Sequence, residues 1–313
     1  MQIIEYECPV DHSFQKAKFR AAEGNLNEAK PLVVALHTWS QNYDTDCSGY
    51  ETICKELNFH LIYPDFRGPN WTYQALGSDL VIADIKAAVE YCCKNYCVDM
   101  SRIYLIGGSG GGHASLLLAA RLPEVWAGVS SWCPISDVAA WHRQCKNTRF
   151  SLYAEHIEKS CGGDPNKPGP AHFEAVHRSS LTFLSNAGSF PFPIDINTGI
   201  HDGHTGSVPV RHAFEAFNAV AKLPDVFQEE EIDYIVKKEK VWPGCPIPEQ
   251  DPSFGDIALH VRRQSGNVRL TIFEGGHDIL INTGLAWLKN QRKAQSPIWN
   301  AEMVSAKSLK LTR

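Results

Sequence analysis

"IYLIGGSGGGHASLLLAA", residues 103–120, sets five glycines and a serine between an apolar run and a helix-like stretch. Spacing separates the templates that use glycine this way. A dinucleotide fingerprint needs GxGxxG, but in the register from Gly108 the last glycine position falls on His113, and the register from Gly110 fails as well. A phosphate-binding loop needs Lys and then Ser or Thr after its final glycine, whereas His113 and Ala114 follow Gly112. Gly107, Gly108, Ser109, Gly110 and Gly111 do fit GxSxG, the sharp strand-to-helix turn that lifts a serine hydroxyl above the end of a sheet. In such a turn the strand and the helix crowd together, and glycines beside the serine remove side chains that would collide.

The segments on either side supply the strand and helix that this turn requires. "PLVVALH" (31–37) is a continuous β-branched and apolar run, which suits a strand buried on both faces. A helix is expected from about Asp44 to Asn58, a strand at "HLIYPDF" (60–66), a helix from about Gly77 to Tyr96 and a strand at "RIYLIGG". After the glycine cluster come strands at "WAGVSSWC" (126–133), "FPIDINTGI" (192–200) and "VRLTIFEGG" (268–276), with apolar helical spacing between and after them. Such alternation demands a mostly parallel, doubly wound sheet with helices on both faces. Two alternating segments within residues 1–21 read as antiparallel edge strands. Residues 134–190 and 224–266 break the rhythm after the carboxyl ends of strands, and are expected to form a lid and a rim on one domain spanning 1–313.

With 313 residues, 43% hydrophobic and 21% charged, the chain has the composition of an ordinary globular domain. A net charge of -5 gives no footprint for nucleic acid. No apolar run approaches a membrane span, and "MQIIEYECPVDHSF" carries no signal-peptide pattern, so the expected compartment is cytoplasmic. The 10 cysteines contain no CxxC, which excludes the usual zinc spacing. Free thiols are preferred to a Cys145–Cys161 bridge.

A serine hydroxyl needs a base within hydrogen-bond reach and an acid to orient the base. Of the 13 histidines, only His277 directly follows the last strand, where Gly275 and Gly276 let the loop curl toward Ser109. His113 is read as packing. Asp202, just past the strand ending at Ile200, is the preferred acid; Asp137 remains the alternative, and Asp278 reads as a helix cap. The oxyanion of a tetrahedral intermediate needs two amide donors, and the expected pair is Gly110, at the helix start, and Trp39, in the "HTWS" loop (37–40). Trp39, Trp71, Trp132 and Trp141 are candidates for an aromatic substrate rim, and Arg67 for holding a carboxylate.

With these residues in place, the chain from about 30 to 290 resembles the α/β-hydrolase superfamily, in particular the catalytic domain of the prolyl oligopeptidase family and its esterase relatives. "YPDFRGPNW", the block from Val98 to Asp137, "GIHDGHTGSVP" and "FEGGHD" carry the resemblance in order. It implies an α/β-hydrolase fold, Ser109 as nucleophile, Asp202 as acid, His277 as base, and no metal or organic cofactor. Two departures stand out: His37-Thr38 replaces a usual His-Gly, and "GHTGS" lengthens the usual spacing from the acid to Val208-Pro209. The expected activity is cleavage of a small-molecule or saccharide ester, such as a carbohydrate acetyl or feruloyl ester, through an acyl-enzyme. A small serine peptidase and a catalytically silent binding protein on the same fold are the other readings.

Overall fold

The computed structural model describes residues 1–25, 27–185, 190–302, 304 and 310–311. A hairpin of β1 (Gln2–Glu7) and β2 (Phe14–Arg20) opens the chain. Strands and helices then alternate: β3 (Lys30–Leu36), α1 (Ser48–Leu57), β4 (His60–Pro64), α2 (Asp79–Asn95), β5 (Val98–Gly108), α3 (Gly110–Arg121) and β6 (Gly128–Trp132). Four helices follow, α4 (Val138–Cys145), α5 (Ser151–Cys161), α6 (Pro170–Arg178) and α7 (Ser180–Leu184). The chain re-enters the sheet as β7 (Ile194–Gly199), continues through α8 (Arg211–Asn218), α9 (Glu229–Lys238), β8 (Leu259–Ser265) and β9 (Val268–Phe273), and reaches α10 (Ile281–Leu288).

Among the described residues the strands form a nine-stranded sheet in the order β1-β2-β4-β3-β5-β6-β7-β9-β8. The run from β4 through β3, β5, β6 and β7 to β9 is parallel, and β1, β2 and β8 are antiparallel at the two edges. This is the mostly parallel α/β sheet that the alternation requires. β3 is apolar after Lys30 because both of its faces are covered, and the buried polar residues of the other central strands find partners, as Asp195 of β7 does in Arg269 of β9 at 2.7 Å. In β3, Leu32, Val34 and Leu36 enter the core under α2, α3 and α8, while Val33 and Ala35 enter the core under α1 and α10.

Two expectations change. The helix expected over 44–58 begins at Ser48, because Asn42 and Asp46 accept the amides of Asp44 and Ser48 in local turns that compete with helix. The stretch 224–266 is not irregular throughout: it contains α9 and β8, and β8 pairs antiparallel with β9 from Leu259 opposite Phe273 to Ser265 opposite Val268. Its polar "RRQS" obscured the strand, since β8 is an edge strand and Arg263 lies outside the main core, over the Phe227 ring at 3.6 Å. The segment expected as a lid folds as α4–α7, and its residues 186–189 lie outside the described residues. All ten cysteines are free, Cys145 and Cys161 included. No helix among the described residues is long and apolar enough to cross a membrane.

Arg67 is also reassigned. Its Nε and Nη2 donate to Asp84 at 2.6 and 2.9 Å, and Nη1 and Nη2 donate to Asp11 at 2.7 and 3.1 Å. The guanidinium therefore ties the turn after β1 to α2 and has no free face for a substrate carboxylate. With Arg67 removed, the fully buried Asp84 carboxylate is left unpaired. Arg67→Ala is expected to destabilise the fold by about 3–5 kcal/mol, read by urea unfolding. A variant that unfolds like the wild type but loses substrate affinity would return Arg67 to the substrate rim.

Candidate active site

β5 ends and α3 begins at Ser109, which holds φ +58° and ψ -119° and is 2% exposed. A non-glycine residue at positive φ is strained, and the strain is held by its surroundings. The Ser109 amide donates to Trp132 O at 2.9 Å, and a Cβ on Gly107 would lie 2.3 Å from Gly111 O. The glycines thus let strand and helix approach at the turn, as GxSxG spacing requires.

The amide of Gly110, the first residue of α3, has no acceptor within the helix. A Cβ on Gly110 would stand 2.6 Å from the Trp39 amide nitrogen, so the two expected oxyanion donors are neighbours. The loop bearing Trp39 is anchored by His37, whose ring stacks on Phe66 with centroids 3.9 Å apart and places Nε2 2.8 Å from Asp65 O.

His277 and Asp202 leave the ends of adjacent strands, β9 and β7, and meet: His277 Nδ1 lies 2.7 Å from Asp202 Oδ2. Asp202 is buried, and its Oδ1 accepts the amides of Gly203 at 2.9 Å and Val208 at 3.3 Å, while Thr198 Oγ1 donates to Oδ2 at 3.5 Å. The "GHTGS" insertion therefore wraps the carboxylate and returns an amide to it. His277 Nε2 is buried without a hydrogen-bond partner among the described residues. Two contacts hold the loop of His277 against the serine turn. A Cβ on Gly108 would lie 2.2 Å from Ile279 Cδ1, and Cys133, next to the carbonyl that binds Ser109, donates its thiol to Asp278 O at 3.4 Å.

The competing assignments find other employment. Asp137 accepts the Ala140 amide at 2.9 Å and caps α4. Asp278 is not a helix cap: it accepts the Gly276 amide at 2.9 Å within the loop, and α10 starts after Leu280. The His113 ring is enclosed without a polar partner among the described residues, and burial, helped by His212, pushes its pKa down to about 4.

The expected aromatic rim divides. Trp132 is core: its ring packs on Phe254 and Phe273, and Nε1 donates to Ser130 Oγ at 2.9 Å. Its place in a central parallel strand, buried on both faces, excludes a rim position. Trp39 and Trp141 are buried edge to face at 4.7 Å, with Trp39 Nε1 on His156 and Trp141 Nε1 on Ser207 O at 2.8 Å. Trp71 is partly exposed and packs on His156 at 4.7 Å.

Sequence reading missed Cys133 and Thr198. Cys133 follows β6 with φ +46°, and its Sγ lies with ligand atoms of Asp202 and His277 in a group spanning at most 4.8 Å. Burial pushes its thiol well above the ordinary range, with Asp202 adding to the effect. Its position after a strand end, like those of Asp202 and His277, was the available signal. A second group with metal-ligand spacing, His142, Glu158 and Asp164, already has a cation, since Lys146 Nζ lies 3.3 Å from Glu158 and 3.0 Å from Asp164.

Residues 51–231 match the prolyl oligopeptidase family. The chain belongs to that family. The prolyl oligopeptidase match takes in Ser109 and Asp202, and His277 lies C-terminal to it. The probable acetylxylan esterase A of Aspergillus clavatus is 24% identical over 184 residues, 51% of this chain and 58% of that protein. Acetylxylan esterase A of Aspergillus ficuum is 28% identical over 155 residues, 42% of this chain and 50% of that protein. The chain thus spans about half the length of these relatives.

Among solved structures, the acylaminoacyl peptidase of Pyrococcus horikoshii superposes with TM-score 0.57 at 13% identity, covering 88% of this chain and 37% of that chain. Est1E from Butyrivibrio proteoclasticus gives 0.50 at 16% identity, covering 70% and 85%. At these identities the likeness establishes the α/β-hydrolase fold of this prolyl oligopeptidase family member.

The wrapped carboxylate yields a local prediction. A Cβ on Gly206 would lie 2.2 Å from Asp202 Oδ1 and 2.5 Å from His277 Cβ. The proton between His277 Nδ1 and Asp202 is expected to resonate far downfield in the wild-type NMR spectrum. Gly206→Ala should shift or erase that resonance while leaving the amide spectrum of the sheet in place. An unchanged downfield signal in that variant would contradict this geometry.

Proposed function

We propose that this chain is a serine hydrolase that cleaves a carboxylic ester through an acyl-enzyme on Ser109. The observation that carries the reading is the 2.7 Å His277–Asp202 hydrogen bond, next to a serine held at φ +58° on a glycine turn. An Nδ1–H donated to Asp202 fixes the tautomer that leaves Nε2 as a lone-pair base.

In the proposed sequence Ser109 Oγ attacks the ester carbonyl as its proton passes to His277 Nε2. The tetrahedral oxyanion accepts from the Gly110 and Trp39 amides, whose fixed dipoles stabilise charge as it develops. Collapse breaks the acyl–oxygen bond, and His277 returns the proton to the departing alcohol. Water then repeats the steps against the acyl-enzyme and releases the acid and free Ser109. Asp202 stays ionised throughout, orienting the ring and stabilising the imidazolium.

A saccharide ester with a small acyl group is the favoured substrate, because the sequence relatives include acetylxylan esterases and Trp71 offers a partly exposed ring for stacking. The second reading, a serine peptidase acting on small peptides, is favoured by the family match and by the fold shared with an acylaminoacyl peptidase. The lid at 134–190 and the rim at 224–266 remain part of this proposal as the borders of the substrate site. The ten free cysteines support a reducing compartment, in keeping with a cytoplasmic location.

A fluorophosphonate probe should label wild-type protein at Ser109 and leave a folded Ser109→Ala variant untouched; no labelling of folded wild type refutes the hydrolase reading. Asp202→Asn should lower kcat for acetyl esters by roughly 10³–10⁴-fold with little change in KM, since it reverses the hydrogen bond that sets the His277 tautomer. Faster turnover of aminoacyl or prolyl amides than of acetylated saccharides would select the peptidase reading.

A further inference from the structure

On the outer side of the loops that carry Asp202 and His277, histidines and glutamates alternate in a chain. His204 Nδ1 lies 3.6 Å from Glu239 Oε1, and Glu239 Oε2 lies 2.7 Å from His201 Nδ1. On the far side of the same ring, His201 Nε2 lies 3.0 Å from Glu274 Oε1, whose Oε2 lies 2.8 Å from His260 Nε2. Glu239 follows α9, His260 belongs to β8, and Glu274 follows β9, so the chain links three elements to the loop after β7. His201 directly precedes Asp202, and Glu274 opens the turn that ends at His277.

The chemistry of His201 is constrained by its partners. A neutral imidazole has a single N–H, whereas ionised carboxylates only accept. An imidazole with a carboxylate oxygen at each nitrogen is satisfied only as the imidazolium, which donates to both. The hydrogen bond to Glu239, with a further contribution from Glu274, holds the His201 pKa above its ordinary value, and His260 and His201 hold Glu274 below its own. Of the other groups nearby, Asp202 turns its carboxylate to His277 and to its own loop amides, and His204 spends Nε2 on Val236 O at 2.8 Å.

The backbone makes this clamp relevant to the candidate acid and base. Ile200 N donates to Phe273 O at 2.9 Å and His201 N to Gly275 O at 3.0 Å, so the two loops are already laced together where His201 sits. Its side chain adds ties to Glu274 on the base loop and to Glu239 on α9.

We propose that His201, as an imidazolium clamped between Glu239 and Glu274, is a positioning residue that sets the acid loop against the base loop, and that its deprotonation as pH rises loosens them. This rests on the hydrolase reading of Ser109, Asp202 and His277. The clamp acts through Asp202 and His277 and touches no reacting atom. Because folding raises the His201 pKa, its contribution is complete at acid pH and is lost as pH rises through the folded value. The ring is one-third exposed, so solvent screens the ion pairs and the effect is smaller than loss of a buried pair.

The test combines an ionisation readout with kinetics on the full chain, using an acetyl ester as probe. NMR titration of the His201 ring should give a pKa above the ordinary imidazole value, and kcat should fall with that same pKa on the alkaline side while KM stays level. His201→Gln should lower kcat by roughly tenfold, short of the ~10²-fold that a 1 Å misplacement can bring, and should remove the alkaline limb. His201→Arg, charged throughout and able to donate to both glutamates, should restore kcat and hold it across that range. Glu239→Gln, which leaves the ring in place, should move the limb to lower pH. A limb indifferent to residue 201 and to Glu239→Gln, in protein that a fluorophosphonate labels at Ser109, overturns the clamp alone. Absence of that labelling overturns the hydrolase reading, and the NMR titration then still reports whether the doubly bonded imidazolium exists.

Discussion

A hydrogen bond between His277 and Asp202 joins the ends of two neighbouring parallel strands, and the surrounding loops are shaped to keep it. The bond closes at 2.7 Å because β7 and β9 deliver their loops side by side, with Gly199 so close to Gly275 and Gly276 that a Cβ there would lie 2.2 Å from a carbonyl oxygen. Burial removes competing water, and two loop amides fix the remaining carboxylate oxygen. The serine turn is constrained in the same manner, through contacts that only glycine permits. Both constraints are consequences of a parallel sheet, in which every strand releases its loop at the same edge.

Besides the cores on the two faces of the sheet, a smaller apolar cluster packs against this edge. Helices α4, α5 and α6 close around Trp39 and Trp141, and Val208 from the loop of Asp202 belongs to the same cluster. Trp141 reaches the loop of Asp202 through Ser207 O, and Arg149 Nη2 reaches it through His204 O at 2.7 Å. The four-helix insertion is therefore bonded to the loop that carries Asp202. The two tryptophans contribute a packed wall, which differs from the open stacking rim that their sequence positions suggested.

Much of the fold was legible because its signals are local. The unbroken apolar run of β3 and the glycine pattern at Ser109 are written in consecutive residues, and the mostly parallel character of the sheet follows from alternation. β8 was not legible, since an edge strand that carries Arg262 and Arg263 in succession lacks the apolar alternation that periodicity detects. Within the site, the placement of Ser109, Asp202 and His277 after strand ends could be read directly, and whether Asp202 or Asp137 faced the histidine could not. That choice depends on how "GHTGS" folds, a long-range fact. Arg67 and Trp132 were misplaced for a related reason: an arginine or tryptophan beside a strand end looks the same in sequence whether it meets solvent, a buried Asp84 or the core. Cys133 escaped because a cysteine without a partner motif carries no chemistry until its neighbours are known.

The central claim is that Ser109, His277 and Asp202 act as one proton-transferring unit. Rapid acid quench of the protein during turnover of 4-nitrophenyl acetate, followed by peptide mass spectrometry, tests it most directly. The account predicts a single acetyl group on the peptide containing Ser109, accumulating in the wild type and absent when His277 is replaced by Ala. Turnover with the Ser109 peptide unmodified, or with the acetyl group carried by Cys133 instead, would contradict it.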